Sequence, residues 1–223
     1  MEINKQTNGL VPELLACKLA IFDLDGVIVD TAHYHFLAWQ QMAESIGLNF
    51  TKQDNERLKG VSRSRSLDII LEINNTQLTA QKKEELQEQK NNRYIQYIKT
   101  IQPQDILPGA KELLVYLRSV GIKTAIGSAS KNAPMVLDGL GITHLFDEIV
   151  DGNTTQRAKP DPAVFTISAD RLKIPYNQCI VFEDAQAGID AALAAKMTAV
   201  AIGDSTILQG AKYYLTTLAQ IKL

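Results

Sequence analysis

At 223 residues the chain is long enough for one sizeable core with room for an insertion. Hydrophobic residues make up 45% and charged residues 22%, which excludes a disordered or fibrous protein. A formal net charge of −2 excludes broad electrostatic binding to nucleic acid or an anionic membrane, so any anion recognised here must be met by local positive groups. Two cysteines, Cys17 and Cys179, give neither a disulfide framework nor a zinc spacing, and free thiols in a reducing cytoplasm are expected. In residues 1–17, Pro12 and Glu13, followed by Lys18, interrupt the only apolar stretch, so a loose N-terminal extension is expected there and not a signal peptide. No run approaches the length of a membrane span.

The first element is the apolar run Leu19-Ala20-Ile21-Phe22, bounded by charge, which predicts a buried strand. Asp23 and Asp25 then lean to one side while Leu24 faces the other, and Gly26 lets the backbone turn sharply. Carboxylates this close repel, and a hard cation such as Mg²⁺ removes the penalty. Val27-Ile28-Val29 predicts a short flap strand ending at Asp30-Thr31. Next the period changes to that of a helix, with Ala32, Phe36, Trp39, Ala43 and Ile46 on one face and Gly47 as the stop. A short helix is expected over 52–59, broken by Gly60-Val61-Ser62, with Ser62 capping another through about Ile73. Thr79 caps a long polar helix to about Ile101. Residues 32–101 thus hold helix after helix and read as an inserted helical domain, leaving 18–31 and 102–223 as a discontinuous core.

From Pro108-Gly109 the pattern alternates. Strands are expected at Ile122–Ile126, Ile149-Val150, Cys179–Phe182, Thr198–Ile202 and Tyr213–Leu215, with helices near 110–120, 133–140, 161–173 and 187–196. This predicts an α/β fold: a Rossmann-like parallel-sheet core with right-handed crossovers and an inserted α-helical cap. In such sheets ligands bind beyond the carboxyl ends of the strands.

Those ends carry the chemistry. The first delivers Asp23 and Asp25. The second leads into Gly127-Ser128-Ala129-Ser130-Lys131-Asn132, with Pro134 in the first turn of a helix, a combination suited to an anion. Lys159 precedes Pro160, and Phe182-Glu183-Asp184 ends another apolar strand. Singly these are a strand end capped by solvated acids, a capped loop and a surface turn. Together they have a logic. Mg²⁺ held by Asp23, Asp184 and Glu183 would neutralise a phosphoryl group, with Ser128 and Lys159 stabilising its other oxygens. Asp23 would attack phosphorus to form an aspartyl phosphate, and Asp25 would exchange a proton with the attacking or leaving oxygen.

DxDG, a hydroxyl-rich loop, a lysine and an acidic pair, in that order, resemble the haloacid dehalogenase superfamily of phosphotransferases. The insertion after the first motif is similar to its C1 cap subclass, and the resemblance covers residues 18–223. It implies that Asp23 is the nucleophile, that Asp25 is the acid/base and that the Asp25 main-chain carbonyl is a Mg²⁺ ligand. The superfamily's dehalogenases lack the second aspartate, so Asp25 counts against that branch. A finer likeness is to the superfamily's sugar-phosphate mutases. It runs through Phe22–Ile28, Asp30-Thr31-Ala32, His35-Phe36, Ala38-Trp39, Leu58-Lys59-Gly60-Val61-Ser62-Arg63, Ser128–Asn132 and Glu183–Gly188.

By that likeness Arg63, Lys131 and Asn132 form a distal phosphate site, and Ser128, Ala129 and Ser130 also contact the substrate. Trp39, Lys59, Gly60, Val61, Ser62, Ser66 and Lys90 lie near the sugar, and Thr31 and His35 act around Asp25 and a hinge. His33 and His144 are expected to be structural. The implied reaction moves a phosphoryl group between the 1- and 6-positions of glucose through glucose 1,6-bisphosphate, in a cytoplasmic monomer that uses a small-molecule sugar phosphate and neither nucleic acid nor membrane. A mutase working through a bisphosphate needs a second anion site, and guanidinium binds phosphate bidentately. Ser64-Arg65 depart from the likeness, and Arg65 is expected to add uncompensated charge near the cap loop. Two other readings remain: a sugar-phosphate phosphatase of the same fold, in which Arg63 and Lys131 only bind the ground state, and a receiver-like module phosphorylated on Asp23.

Overall fold

In the computed structural model, which describes residues 9–222, six strands form one sheet. They are β1 (Leu19–Phe22), β2 (Lys123–Gly127), β3 (Glu148–Val150), β4 (Cys179–Glu183), β5 (Thr198–Ile202) and β6 (Tyr213–Leu215). Their order is β3-β2-β1-β4-β5-β6 and every neighbouring pair is parallel. The helices are α1 (Leu10–Ala16), α2 (Ala32–Glu44), α3 (Lys52–Asn55), α4 (Arg63–Ile73), α5 (Ala80–Ile98), α6 (Ala110–Ser119), α7 (Ala133–Leu140), α8 (Ala163–Leu172) and α9 (Gln186–Ala194).

β1 reads as an unbroken apolar run because helices cover both faces of the sheet. Ala20 and Phe22 pack with residues of α1, α6 and α7, whereas Leu19 and Ile21 pack with those of α8 and α9. Phe22 pairs in register with Ile126 and Phe182, and its ring stacks on that of Phe182 at 4.7 Å. That register brings the residues after β1, β2 and β4 to one edge.

Between β1 and α6 run helices without a strand, and they have a core of their own around Trp39, Met42, Leu67, Ile70 and Leu86. Ser62 and Thr79 cap α4 and α5 as expected, their hydroxyls accepting from the main-chain N–H groups of Arg65 (3.3 Å) and Lys82 (3.2 Å). The lower ends of α2 and α5 reach the sheet's core: Ala38, Tyr94 and Ile98 are buried in it, and Tyr34 stacks on Tyr97 at 5.5 Å.

Three expectations need correction. Val27–Val29 is a buried turn and not a flap strand: Ile28 and Val29 both donate to the Leu24 carbonyl, and only isolated bridges join Val29 to Asp25 and Ile106. Both edges of β1 are already taken by β2 and β4, so a flap here has no sheet to join. The helix expected to reach Ile101 ends at Ile98, where Thr100 and Ile101 switch to bonds three residues back. The N-terminal extension is not loose throughout. Residues 1–8 lie outside the described residues, but α1 buries Leu10 and Leu14. Glu13 on α1 accepts from Thr198 (2.8 Å), Tyr213 (2.6 Å) and Lys212, which fastens the helix over β5 and β6. Cys17 and Cys179 are buried, which pushes their thiols up to about 11 and about 12 and leaves them inert. Among the described residues no helix is long and apolar enough to cross a membrane.

Candidate active site

The sheet edge places the acids. The Asp23 N–H donates to the Phe182 carbonyl (2.9 Å), extending the ladder one step so that Asp23 emerges between the ends of β1 and β4. Gly26 has φ +84, and a Cβ there would lie 2.2 Å from Oδ2 of Asp184, so only glycine lets that carboxylate settle over the turn. Lys159 sits just ahead of α8, with a cis bond to Pro160. Its ammonium is buried, bonds to both Asp23 and Glu183, and stands 5.0 Å from the Phe165 ring centroid. Burial opposes that charge, but the Asp23 and Glu183 carboxylates together outweigh it and raise the lysine above its ordinary range.

Glu183 and Asp184 part company at the end of β4. Glu183 points inward: one oxygen takes Lys159, the other accepts from the Ala185 N–H (2.9 Å), and the carboxylate lies against Gly188. Its position is that of an anchor for Lys159, away from the cavity. Asp184 lines the cavity instead, and among the described residues no protein hydrogen bond engages its carboxylate. Burial, reinforced by the charges of Glu183 and Asp23, pushes Asp184 well up. Glu183 is pushed to about 7 by burial and Asp23, and Asp25 to about 6 by the same two causes. Four carboxylates therefore crowd around Lys159, with Lys90 and Lys59 acting on Asp25 and Asp184 from further off. That surplus suits a hard divalent cation at the oxygens of Asp23 and Asp184. Among the described residues no three His, Cys, Asp or Glu side chains form a ready-made chelate.

The loop after β2 is tied down from both sides. The Ser128 N–H donates to the Val150 carbonyl (3.0 Å), its hydroxyl accepts from Ser130 N–H (3.1 Å), and the Ser130 hydroxyl accepts from Asn132 N–H (3.2 Å). Asn153 donates to the Lys131 carbonyl (2.9 Å) and is itself held by Asp151 (2.8 Å). Asp151 and Asn153 were not anticipated; the signal was Asp-Gly-Asn-Thr-Thr directly after β3, an Asx-turn composition.

The inserted helices close over this edge. Thr31, at the start of α2, donates its hydroxyl to Asp25. His35 Nε2 lies 3.9 Å from the same Asp25 oxygen, its Nδ1 is 2.8 Å from Lys90 Nζ, and its ring packs on Tyr94 at 4.0 Å. Lys90 is buried, with Trp39 and Tyr94 rings at 4.9 and 4.6 Å, so burial and the Arg63 charge lower it to about 7. Burial, with the charges of Lys90 and Arg63, also lowers His35 well below its ordinary value and keeps it neutral. Arg63 and Asn132 both donate to Oδ1 of Asn91, at 2.7 and 2.9 Å. The Ser66 hydroxyl is used within α4, on the Ser62 carbonyl (3.1 Å). Lys59 pairs with Glu56 at 2.8 Å, and Gly60 (φ +72) abuts Ala185, where a Cβ would come to 3.0 Å. Arg65 is not uncompensated: it points outward and pairs with Glu72 two turns along α4.

Every candidate catalytic, substrate or metal residue read from the sequence except Thr31 and Glu183 lines one cavity of about 540 Å³, a size suited to a small phosphorylated ligand. Thr31 and Glu183 stand behind it, on Asp25 and Lys159. Asn55, Glu84, Gln87 and Thr155–Ala158 also line it and carried no sequence signal.

A Rossmann-like parallel sheet whose acidic edge is roofed by helices inserted after the first strand defines a capped α/β phosphotransferase-type fold. The chain belongs to the haloacid dehalogenase-like hydrolase family, whose family model matches residues 17–196. It is 43% identical to the β-phosphoglucomutase of Bacillus subtilis over 92% of each chain. It is 30% identical to a phosphorylated carbohydrates phosphatase of Thermotoga maritima, over 78% of this chain and 80% of that one. Among solved structures, the β-phosphoglucomutase of Clostridium difficile superposes with a TM-score of 0.89 at 43% identity, covering 92% of this chain and 93% of that one.

Proposed function

We propose that the enzyme is an isomerase of the β-phosphoglucomutase type, interconverting β-D-glucose 1-phosphate and glucose 6-phosphate through β-glucose 1,6-bisphosphate. What supports this reading is a second cluster of cationic and amide side chains in the same cavity. Lys159 and Ser128 stand by Asp23, and Arg63 gathers with Asn132 and Lys131. A phosphatase needs only the first of these; a bisphosphate that must present either end to Asp23 needs both. We assign residues 32–101 to a mobile cap and 18–31 with 102–223 to the core.

Mg²⁺, held by the Asp23 and Asp184 carboxylates and the Asp25 main-chain carbonyl, would supply positive charge for the phosphoryl oxygens. An Asp23 carboxylate oxygen bonds to a phosphorus of the bisphosphate as the bond from that phosphorus to the sugar oxygen breaks, leaving a sugar monophosphate. Asp25 gives its proton to that leaving oxygen. In the return half-reaction, Asp25 takes the proton of the sugar's other hydroxyl while that oxygen attacks the aspartyl phosphate. At about 6, Asp25 is suited to both duties near neutral pH. Lys159 and Ser128 compensate charge on the phosphoryl oxygens, and Arg63, Lys131 and Asn132 grip the phosphate that is not reacting. Thr31 holds Asp25, His35 stands beside it, and Lys90 fixes the His35 ring. Closure of the helices keeps water from the aspartyl phosphate.

Arg63→Ala tests the second site. Losing charge-assisted bonds worth roughly 2–3 kcal/mol should cut isomerisation about 30- to 150-fold while slowing hydrolysis of acetyl phosphate less than about threefold. Equal losses in the two assays, or phosphate release from glucose 1-phosphate without isomerisation in the parent enzyme, would favour a sugar-phosphate phosphatase.

A further inference from the structure

Asn91 carries no motif, yet one atom of it joins three parts of the protein. Its Oδ1 accepts from Arg63 on α4 (2.7 Å) and from Asn132 just ahead of α7 (2.9 Å), while Asn91 itself stands on α5. Two inserted helices and the core loop therefore meet on a single neutral oxygen. Neutrality matters here. An amide oxygen orients the guanidinium without cancelling its charge, and among the described residues no carboxylate pairs with Arg63. Arg65, two residues along, is by contrast taken up by Glu72. A carboxylate at position 91 would make the same two bonds but neutralise Arg63 and repel a phosphate; alanine would make neither.

We propose that Asn91 is a positioning residue, a latch between cap and core that aligns Arg63 and Asn132 for the second phosphate and favours the closed state. This rests on the mutase reading above. Latching and charge are separable in two variants. With the full chain, Mg²⁺, β-glucose 1-phosphate and β-glucose 1,6-bisphosphate, Asn91→Ala should raise the KM for the bisphosphate about tenfold. It should also raise phosphate released per glucose 6-phosphate formed by about tenfold, because an unlatched cap admits water. Asn91→Asp keeps the latch, so that ratio should stay within about twofold of the parent while the KM rises at least as far, about tenfold. A purely structural role would lower isomerisation and hydrolysis together and leave the ratio alone. Two variants with the same ratio, or a parent-like KM and ratio in Asn91→Ala, would overturn the proposal. If the parent enzyme makes no glucose 6-phosphate, the mutase reading fails separately. The latch is then read by small-angle scattering of ligand-free protein, where Asn91→Ala should have the larger radius of gyration and Asn91→Asp the parent's. An unchanged radius in Asn91→Ala overturns it.

Discussion

Replacing Lys90 with methionine should make the ligand-free protein more stable and the enzyme worse. Lys90 is 2% exposed, and burial lowers it from 10.5 to about 7. A shift of that size corresponds to about 5 kcal/mol against the charged form at low pH. Methionine has nearly the same length and no charge. It forfeits the bond to His35, about 1 kcal/mol, and the cation–π contacts with Trp39 and Tyr94, about 1–2 kcal/mol. The net gain at pH 6 is roughly 2–3 kcal/mol, or about 5–10 °C in Tm for a chain of this size. The pH dependence gives the mechanism away. Between about 7 and 10.5 the unfolded lysine binds more protons than the folded one, so parent stability rises there by about 1.4 kcal/mol per pH unit. The methionine variant lacks this rise, and its advantage should vanish near pH 9. Denaturant unfolding of both proteins at pH 6, 7.5 and 9 reads this directly. A variant less stable at pH 6, or a difference that stays flat to pH 9, would refute a charge-burial origin. Isomerisation should fall meanwhile, because the His35 ring loses the group that fixes it.

Asp23→Asn should abolish phosphoryl transfer, by about a thousandfold or more, with the fold intact by circular dichroism; substantial residual isomerisation would count against its nucleophilic role. In Thr31→Val, Asp25 loses the hydroxyl that favours its carboxylate form and rises further above about 6. The acidic limb of kcat/KM should then move up by about half to one pH unit, and an unmoved limb would contradict that contact. Gly26→Ala would set a Cβ 2.2 Å from Oδ2 of Asp184 at a φ of +84, displacing the carboxylate. The Mg²⁺ concentration for half-maximal activity should rise at least about tenfold, whereas a parent-like Mg²⁺ titration would argue against Asp184 as a ligand.

Much of the fold was legible because its signals are local. Uninterrupted apolar runs follow from strands covered on both faces, and Ser62 and Thr79 announce α4 and α5 through hydrogen bonds three residues away. Val27–Val29 has strand composition, but whether a strand forms depends on free sheet edges, and β2 and β4 had filled them. α1 is seven residues long with Pro12 inside it, and only its grip on Thr198, Lys212 and Tyr213 explains its stability. At the end of β4 two adjacent acids must face opposite ways, but which one takes Lys159 is decided by residues on other elements. The burial of Lys90 was readable in part, since Leu86, Lys90, Tyr94 and Ile98 share one stripe of α5 at a spacing of four. Asn91 lies off that stripe, and its two partners are 28 and 41 residues away, so no local pattern marks it.

The most direct measurement supplies the enzyme with Mg²⁺, β-glucose 1-phosphate and a trace of β-glucose 1,6-bisphosphate, and follows glucose 6-phosphate and inorganic phosphate together. Glucose 6-phosphate formed nearly mole for mole with substrate consumed, with little inorganic phosphate, is the expected result. Inorganic phosphate released without glucose 6-phosphate would contradict the mutase and leave a phosphatase.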